Sequence, residues 1–259
     1  MPSSQAAGIR LYYEDIGTGP VMVLLHGLGG SSADWESQLP EFSRDHRVIA
    51  PDFRGYGNSE RRGPYTVERF AADVFALLDE LQIGNFILVG HSMGGAVAMV
   101  MALMKPSRIR KLVLTNTLPN FRPDDLTQRV MLWSRLVLMA VLGPGHLSRI
   151  VAAKLYPGPE LTALRDRAGE RHGRTSRRVY LSTLWRLSRW SAEQRLPELR
   201  VPTLVMAAEN DYFDSARLRR FVDGLPGADS EVFPGTHHGL PLEAPQLFNA
   251  RLRQFLGLA

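Results

Sequence analysis

Ser92 lies in Gly90-His91-Ser92-Met93-Gly94, a G-x-S-x-G pentad. An apolar run at 86–89 precedes it, and a small-residue helix pattern follows at Met93, Ala96, Val97 and Val100. A serine hydroxyl is almost wholly protonated near neutrality, so it becomes a nucleophile only beside a base. A serine presented on a tight strand-to-helix turn crowds its neighbours, which explains glycine two positions before and two after. The start of the helix would aim N–H groups and its positive dipole end at the serine, favouring an anion there. The competing explanation is a glycine-rich turn with an incidental serine. The strand–turn–helix context favours nucleophilic catalysis of acyl transfer. Seven histidines (His26, His46, His91, His146, His172, His237 and His238) are available as bases.

The elements that must position this serine can be read from periodicity. Residues 9–16 alternate apolar and polar, as an edge strand does, and 21–25 form a fully buried strand. The glycine-rich His26-Gly27-Leu28-Gly29-Gly30 follows. A short strand at 47–50 leads into Pro51-Asp52-Phe53-Arg54-Gly55-Tyr56-Gly57-Asn58-Ser59. Thr66 is suited to cap a helix carrying Phe70, Val74, Leu77, Leu78 and Leu81 on one face. A further buried strand covers 109–114. Strands separated by helices imply right-handed crossovers and a mostly parallel sheet covered on both faces.

That rhythm breaks at Pro119. Residues 119–195 have only helical patterns, at 124–142, 145–156, 160–169 and 174–190, and strand character resumes at 203–207. A helix at 214–222, a strand at 230–233 and a helix at 245–256 complete the chain. The expected organisation is a core of residues 1–118 and 196–259 with an all-helical insertion at 119–195.

Composition narrows the function. The chain has 259 residues, 44% hydrophobic and 22% charged, ordinary values for a globular domain. It has no cysteine, which excludes disulfides, thiolate metal sites and a cysteine nucleophile. Residues 1–8 lack an apolar signal core, and no run approaches the roughly 18 apolar residues of a membrane span, so a cytoplasmic protein is expected. The net charge of +5 is concentrated. Residues 119–195 hold fourteen Lys and Arg against six Asp and Glu, a surplus of eight that leaves the remainder at −3. No aromatic-interleaved basic motif or DNA-reading helix accompanies this surplus, so nucleic acid is not an expected partner.

Four segments give the chain a family resemblance: His26-Gly27-Leu28-Gly29-Gly30, Asp52-Phe53-Arg54-Gly55-Tyr56-Gly57-Asn58-Ser59, Gly90-His91-Ser92-Met93-Gly94-Gly95, and Gly235-Thr236-His237-His238-Gly239-Leu240-Pro241-Leu242-Glu243-Ala244-Pro245. Together they resemble an α/β-hydrolase of the serine esterase and lactonase branch with a helical cap, and the resemblance runs from about residue 9 to 256. It implies the α/β-hydrolase fold, a nucleophile elbow at Ser92, and no metal or cofactor. The family's base is followed five residues later by Glu and seven later by Pro. From His238 those positions are Glu243 and Pro245, so His238 is preferred over His237. The acid follows the strand at 203–207, where Asp211 fits best, with Glu209 and Asp214 as alternatives. The position after the 109–114 strand, where some relatives carry the acid, reads Thr115-Asn116-Thr117 and has no carboxylate. The order Ser92, Asp211, His238 is that of the family. The resemblance also implies an oxyanion hole from the backbone N–H groups of Leu28 and Met93.

The expected activity is hydrolysis of a small-molecule carboxylic ester or related acyl substrate through an acyl-enzyme. Enol-lactone hydrolysis, C–C bond hydrolysis and cofactor-free perhydrolysis on the same triad are alternatives, and so is a ligand receptor that keeps the triad. A serine at the elbow excludes epoxide hydrolases and haloalkane dehalogenases of this fold, which use aspartate. Trp133, Leu136, Val137 and Met139, with Val141, form a helix pattern too apolar for full exposure and are expected to roof the pocket. Packing among neighbouring helices is the plainer explanation, and docking on an anionic membrane with the arginines is a third.

Overall fold

The continuous apolar runs form the middle of one sheet. The computed structural model describes residues 3–5 and 7–258. Its strands are β1 (Ser3–Ser4), β2 (Leu11–Ile16), β3 (Val21–Leu25), β4 (Arg47–Pro51), β5 (Phe86–His91), β6 (Ile109–Thr115), β7 (Thr203–Asn210) and β8 (Asp229–His237). They pair in the order β1-β2-β4-β3-β5-β6-β7-β8. β2 runs antiparallel to both its neighbours, and every pairing from β4 to β8 is parallel. β5 is therefore interior, and the residues beyond its C-terminal end open onto the edge where parallel sheets bind ligands. Phe86 and Leu88 pack into the hydrophobic cluster on one face of the sheet, Ile87 and Val89 into that on the other. Burial on both faces is why this strand is apolar at every position.

The helices are α1 (Gln38–Phe42), α2 (Val67–Glu80), α3 (Met93–Met104), α4 (Leu126–Leu142), α5 (Pro144–Leu155), α6 (Thr162–Gly173), α7 (Arg177–Leu187), α8 (Ser215–Asp223), α9 (Leu240–Glu243) and α10 (Pro245–Leu256). The Thr66 hydroxyl accepts from Arg69 N and caps α2, whose Phe70, Val74, Leu77 and Leu78 are buried. Helices α4–α7 all lie between β6 and β7. The chain leaves and rejoins the sheet side by side: Asn120 bridges Ser191, and Ala192 N donates to Pro119 O at 2.7 Å. Among the described residues no helix is long and apolar enough to cross a membrane.

The structure departs from the sequence reading in several places. β2 does not alternate between core and solvent, because Leu11, Tyr12 and Tyr13 are all buried. The loop after β4 covers its outer side, and Tyr12 N donates to Ser59 Oγ at 2.9 Å. β2 is also not the sheet's edge, since β1 pairs outside it. β8 extends through His237, so the histidine pair stands at a strand end rather than within a loop. His46, one of the seven histidines, is buried where the turn at Gly17 packs on residues 43–46 and is far from any role as a free surface base.

Loops at the sheet's C-terminal edge are pinned by buried charge. Asp52 accepts from Ser32 N through Oδ1 and from Asn58 N through Oδ2, both at 2.7 Å, and so joins the loops after β3 and β4. Arg54 pairs with Asp73 of α2, both side chains 2% exposed, and it also donates to the carbonyls of Arg62 and Gly63. Removing one partner leaves the other charge buried and unpaired, which costs about 3–5 kcal/mol. Asp73→Ala should therefore lose stability of that order in urea unfolding, and Arg54→Met/Asp73→Leu should recover part of it. A single-variant loss below about 1 kcal/mol would show that water reaches the pair.

Candidate active site

Ser92 follows β5 directly and holds φ 53° and ψ −119°, a combination non-glycine residues rarely adopt. The surroundings enforce it. Ser92 N donates to Thr115 O at 3.0 Å, and Thr117 Oγ1 donates to Ser92 O at 2.8 Å. A β-carbon at Gly94 would come within 2.2 Å of Leu25 O, and one at Gly90 within 2.4 Å of Gly94 O. Neither position accepts a side chain without opening the turn.

His238 brings two distant residues to Ser92. Its Nε2 lies 3.0 Å from Ser92 Oγ, and its Nδ1 lies 2.8 Å from Asp211 Oδ1. The carboxylate dictates the tautomer: Nδ1–H donates to Asp211, which leaves the Nε2 lone pair facing the serine. Asp211 also accepts from Asn116 Nδ2 at 2.6 Å and from Phe213 N at 3.1 Å. Burial alone would raise its pKa, but His238 and these hydrogen bonds outweigh it and hold the carboxyl below its usual range. The other carboxylates near β7 are engaged elsewhere. Glu209 accepts from Gly235 N, and Asp214 caps α8 through Ala216 N.

His237 turns away from this chain. Its Nδ1 lies 2.7 Å from Glu243 Oε1, while its backbone N donates to Glu243 Oε2 at 2.6 Å. Glu243, expected only as a marker of spacing, thus fastens the strand end that carries His238. His26 is fully buried, donating from Nδ1 to Gly27 O and accepting at Nε2 from Phe53 N, so it ties the first glycine loop to the loop after β4. Leu28 and Gly27 line the same cavity as Ser92, and Met93 begins α3 beside it. Among the described residues, no cluster of three or more His, Asp or Glu side chains has the arrangement of a metal site.

The expected roof is not the one observed. Trp133 and Val137 are 57% and 55% exposed, and Val141 is exposed as well. Trp133 packs edge-on against Trp185 on the outer surface. Leu136 and Met139 pack with Leu147 and Leu184, inside the helical segment. None of the four expected residues lines the cavity at Ser92, which measures 120 Å³. One turn of α4 presents Arg135 to that cavity, and Phe121, Leu184 and Leu187 join it. The apolar surplus of α4 divides between its neighbouring helices and solvent, and its Arg135 lines the cavity at Ser92.

Sequence reasoning missed several residues of this site. Tyr212, next to Asp211, places its hydroxyl 2.6 Å from His238 Nε2, with ring centroids 4.0 Å apart. Asp34 and His172 also line the cavity, with His172 Nε2 3.4 Å from Asp34 Oδ2. Asn116 occupies the position noted for lacking a carboxylate and orients the carboxylate supplied by β7. Adjacency to Asp211 was the signal available for Tyr212; Arg135 and His172 had none beyond lying in the helical segment.

A family model described as the alpha/beta hydrolase fold matches residues 20–245. The chain belongs to the α/β-hydrolase family. A protein of Caulobacter sp. strain K31 named "Putative carbamate hydrolase RutD" is 32% identical over 265 residues, covering 97% of this chain and 98% of its own. The enol-lactonase from Burkholderia xenovorans LB400 superposes with a TM-score of 0.90 at 25% identity, over 99% of this chain and all of that one. A thermophilic esterase from Thermogutta terrifontis gives a TM-score of 0.85 at 26% identity, over 96% and 93% of the two chains.

His91, inside the pentad, gives the site a pH signature. Burial and the neighbouring His238 push its pKa down to about 4, and its Nε2–H donates to His238 O at 2.8 Å. The unfolded chain therefore binds a proton between pH 6.5 and 4 that the folded one does not. The resulting stability is present above pH 6.5 and is lost as pH falls towards 4, by about 3 kcal/mol. Burial lowers the pKa of His26 as well, with the same sign. Unfolding free energies at pH 7 and pH 4.5 should differ less for His91→Gln than for wild type. An unchanged difference would show that His91 is not held neutral.

Proposed function

We propose that the protein is a serine hydrolase that cleaves small carboxylic esters or closely related acyl compounds through an acyl-enzyme on Ser92. The observation that carries this reading is the hydrogen-bonded chain from Ser92 Oγ through His238 to Asp211, at 3.0 and 2.8 Å. His238 Nε2 takes the serine proton as Oγ attacks the acyl carbon, and later returns it to the leaving group. Asp211 keeps the tautomer and stabilises the imidazolium. The N–H groups of Leu28 and Met93 stabilise the oxyanion, helped by the dipole of α3. The Tyr212 hydroxyl competes for the same Nε2, so it turns away before the proton moves, and a bound acyl group offers it an acceptor.

Helices α4–α7 serve as a cap over this chemistry. The 120 Å³ chamber beneath them favours a small substrate, since pockets for drug-sized ligands measure roughly 300–1,000 Å³. The relatives named as a carbamate hydrolase, an enol-lactonase and an esterase share one bond type by their names, a carbonyl carbon joined to a heteroatom. That supports acyl–heteroatom cleavage over C–C hydrolysis.

Ser92→Ala should lower kcat on a short-chain ester by about 10⁴–10⁶-fold with folding little changed. His238→Ala should be nearly as damaging, whereas His237→Ala should cost no more than about tenfold, through the strand end it shares with Glu243. A Ser92→Ala protein keeping more than about a hundredth of wild-type activity would remove the serine from the mechanism.

A further inference from the structure

We infer that Arg135 is the anion-binding residue of this site and that the substrate carries a carboxylate beyond the acyl group that Ser92 attacks. The inference rests on the hydrolase reading above and names its substrate class.

Arg135 is partly buried on α4 and lines both the chamber at Ser92 and the 380 Å³ groove outside it. Its Nε donates to the Tyr180 hydroxyl, and Tyr212 lines the chamber with it. A guanidinium has five N–H donors in a planar fork, so this bond leaves four. Among the described residues no carboxylate pairs with Arg135. This sets it apart from Arg171, which pairs with Glu36, and from Arg217, which pairs with Asp124. A cation withdrawn from water with no counter-ion favours any anion that can reach it, and the fork matches a carboxylate.

Position limits the anion further. Tyr212, which lines the chamber with Arg135, places its hydroxyl 2.6 Å from His238 Nε2. Arg135 therefore shares one 120 Å³ chamber with the atom that exchanges the serine proton. A chamber of that size places a substrate carboxylate only a few bonds beyond the scissile carbonyl. The chamber's own anion, Asp34, lies beside His172 and accepts from Ser31 N. Its charge disfavours a second carboxylate beside it, whereas Arg135 favours one.

A plainer role is that Arg135 only ties α4 to α7 through Tyr180. That tie would act on charged and neutral substrates alike, so a matched pair separates the two. Monomethyl succinate and methyl butanoate differ by a carboxylate in place of a methyl group. Wild type should favour the charged ester in kcat/KM by about tenfold or more. Arg135→Gln should bring that ratio close to one, mainly through KM for the charged ester, and Arg135→Lys should keep an intermediate preference. Calorimetric titration of Ser92→Ala, which needs no turnover, should show the same preference in Kd. Adding Arg135→Gln to it should weaken monomethyl succinate by about tenfold. A wild type that binds and cleaves the two esters alike overturns the inference while leaving the hydrolase reading intact, as does a preference that survives Arg135→Gln. Binding through Arg135 without hydrolysis of either ester would keep the anion site and sink the hydrolase reading.

Discussion

Ser92 is held in a backbone conformation that costs about 1–3 kcal/mol, and the rest of the site depends on the contacts that hold it there. Thr115 and Thr117, at and just beyond the end of β6, fasten its N–H and carbonyl. Gly94 lets α3 pack against the carbonyl of Leu25. The strain is therefore distributed over β3, β5 and β6, which are adjacent in the sheet. It projects the hydroxyl clear of the sheet edge, where His238 at the end of β8 can meet it.

The same edge is assembled through polar groups that avoid water. Asp52 joins two loops through backbone N–H groups, His26 joins them again, and Arg54 anchors the second loop to α2 through Asp73. Hydrogen-bonded buried charges of this kind fix loop geometry, because any alternative arrangement leaves one of them unpaired. The apolar clusters on the two faces supply the non-directional part of the stability, and these pairs decide where the glycine loops stand.

The helical segment shows how composition can mislead about direction. Its apolar residues suggested a greasy roof over the serine, yet Trp133, Val137 and Val141 face solvent, and Leu136 and Met139 face their own neighbours. Periodicity reports that a helix has an apolar side, not which neighbour that side meets. The cavity received Arg135 from this helix, together with Phe121, Leu184 and Leu187 from the rest of the segment. The chamber is thus lined by a guanidinium and by the Asp34 carboxylate as well as by apolar side chains.

Much of the fold was legible from local pattern: β3, α10 and the β5–Ser92–α3 unit, along with the Thr66 cap. In these segments the glycines, caps and apolar period answer to neighbours a few residues away. Ser92, Asp211 and His238 were also legible, in order and by resemblance to a family. What tertiary structure decided was the pairing: that His238 faces Ser92 across 146 positions while His237 faces Glu243, and that Asp211 reaches His238 while Glu209 and Asp214 bond elsewhere. Asn116, Tyr212, Arg135 and the buried His46 belong to the same category. Each depends on which surfaces meet when helices and strands pack, and a side chain's partner across such a gap leaves no periodic trace in the chain that carries it.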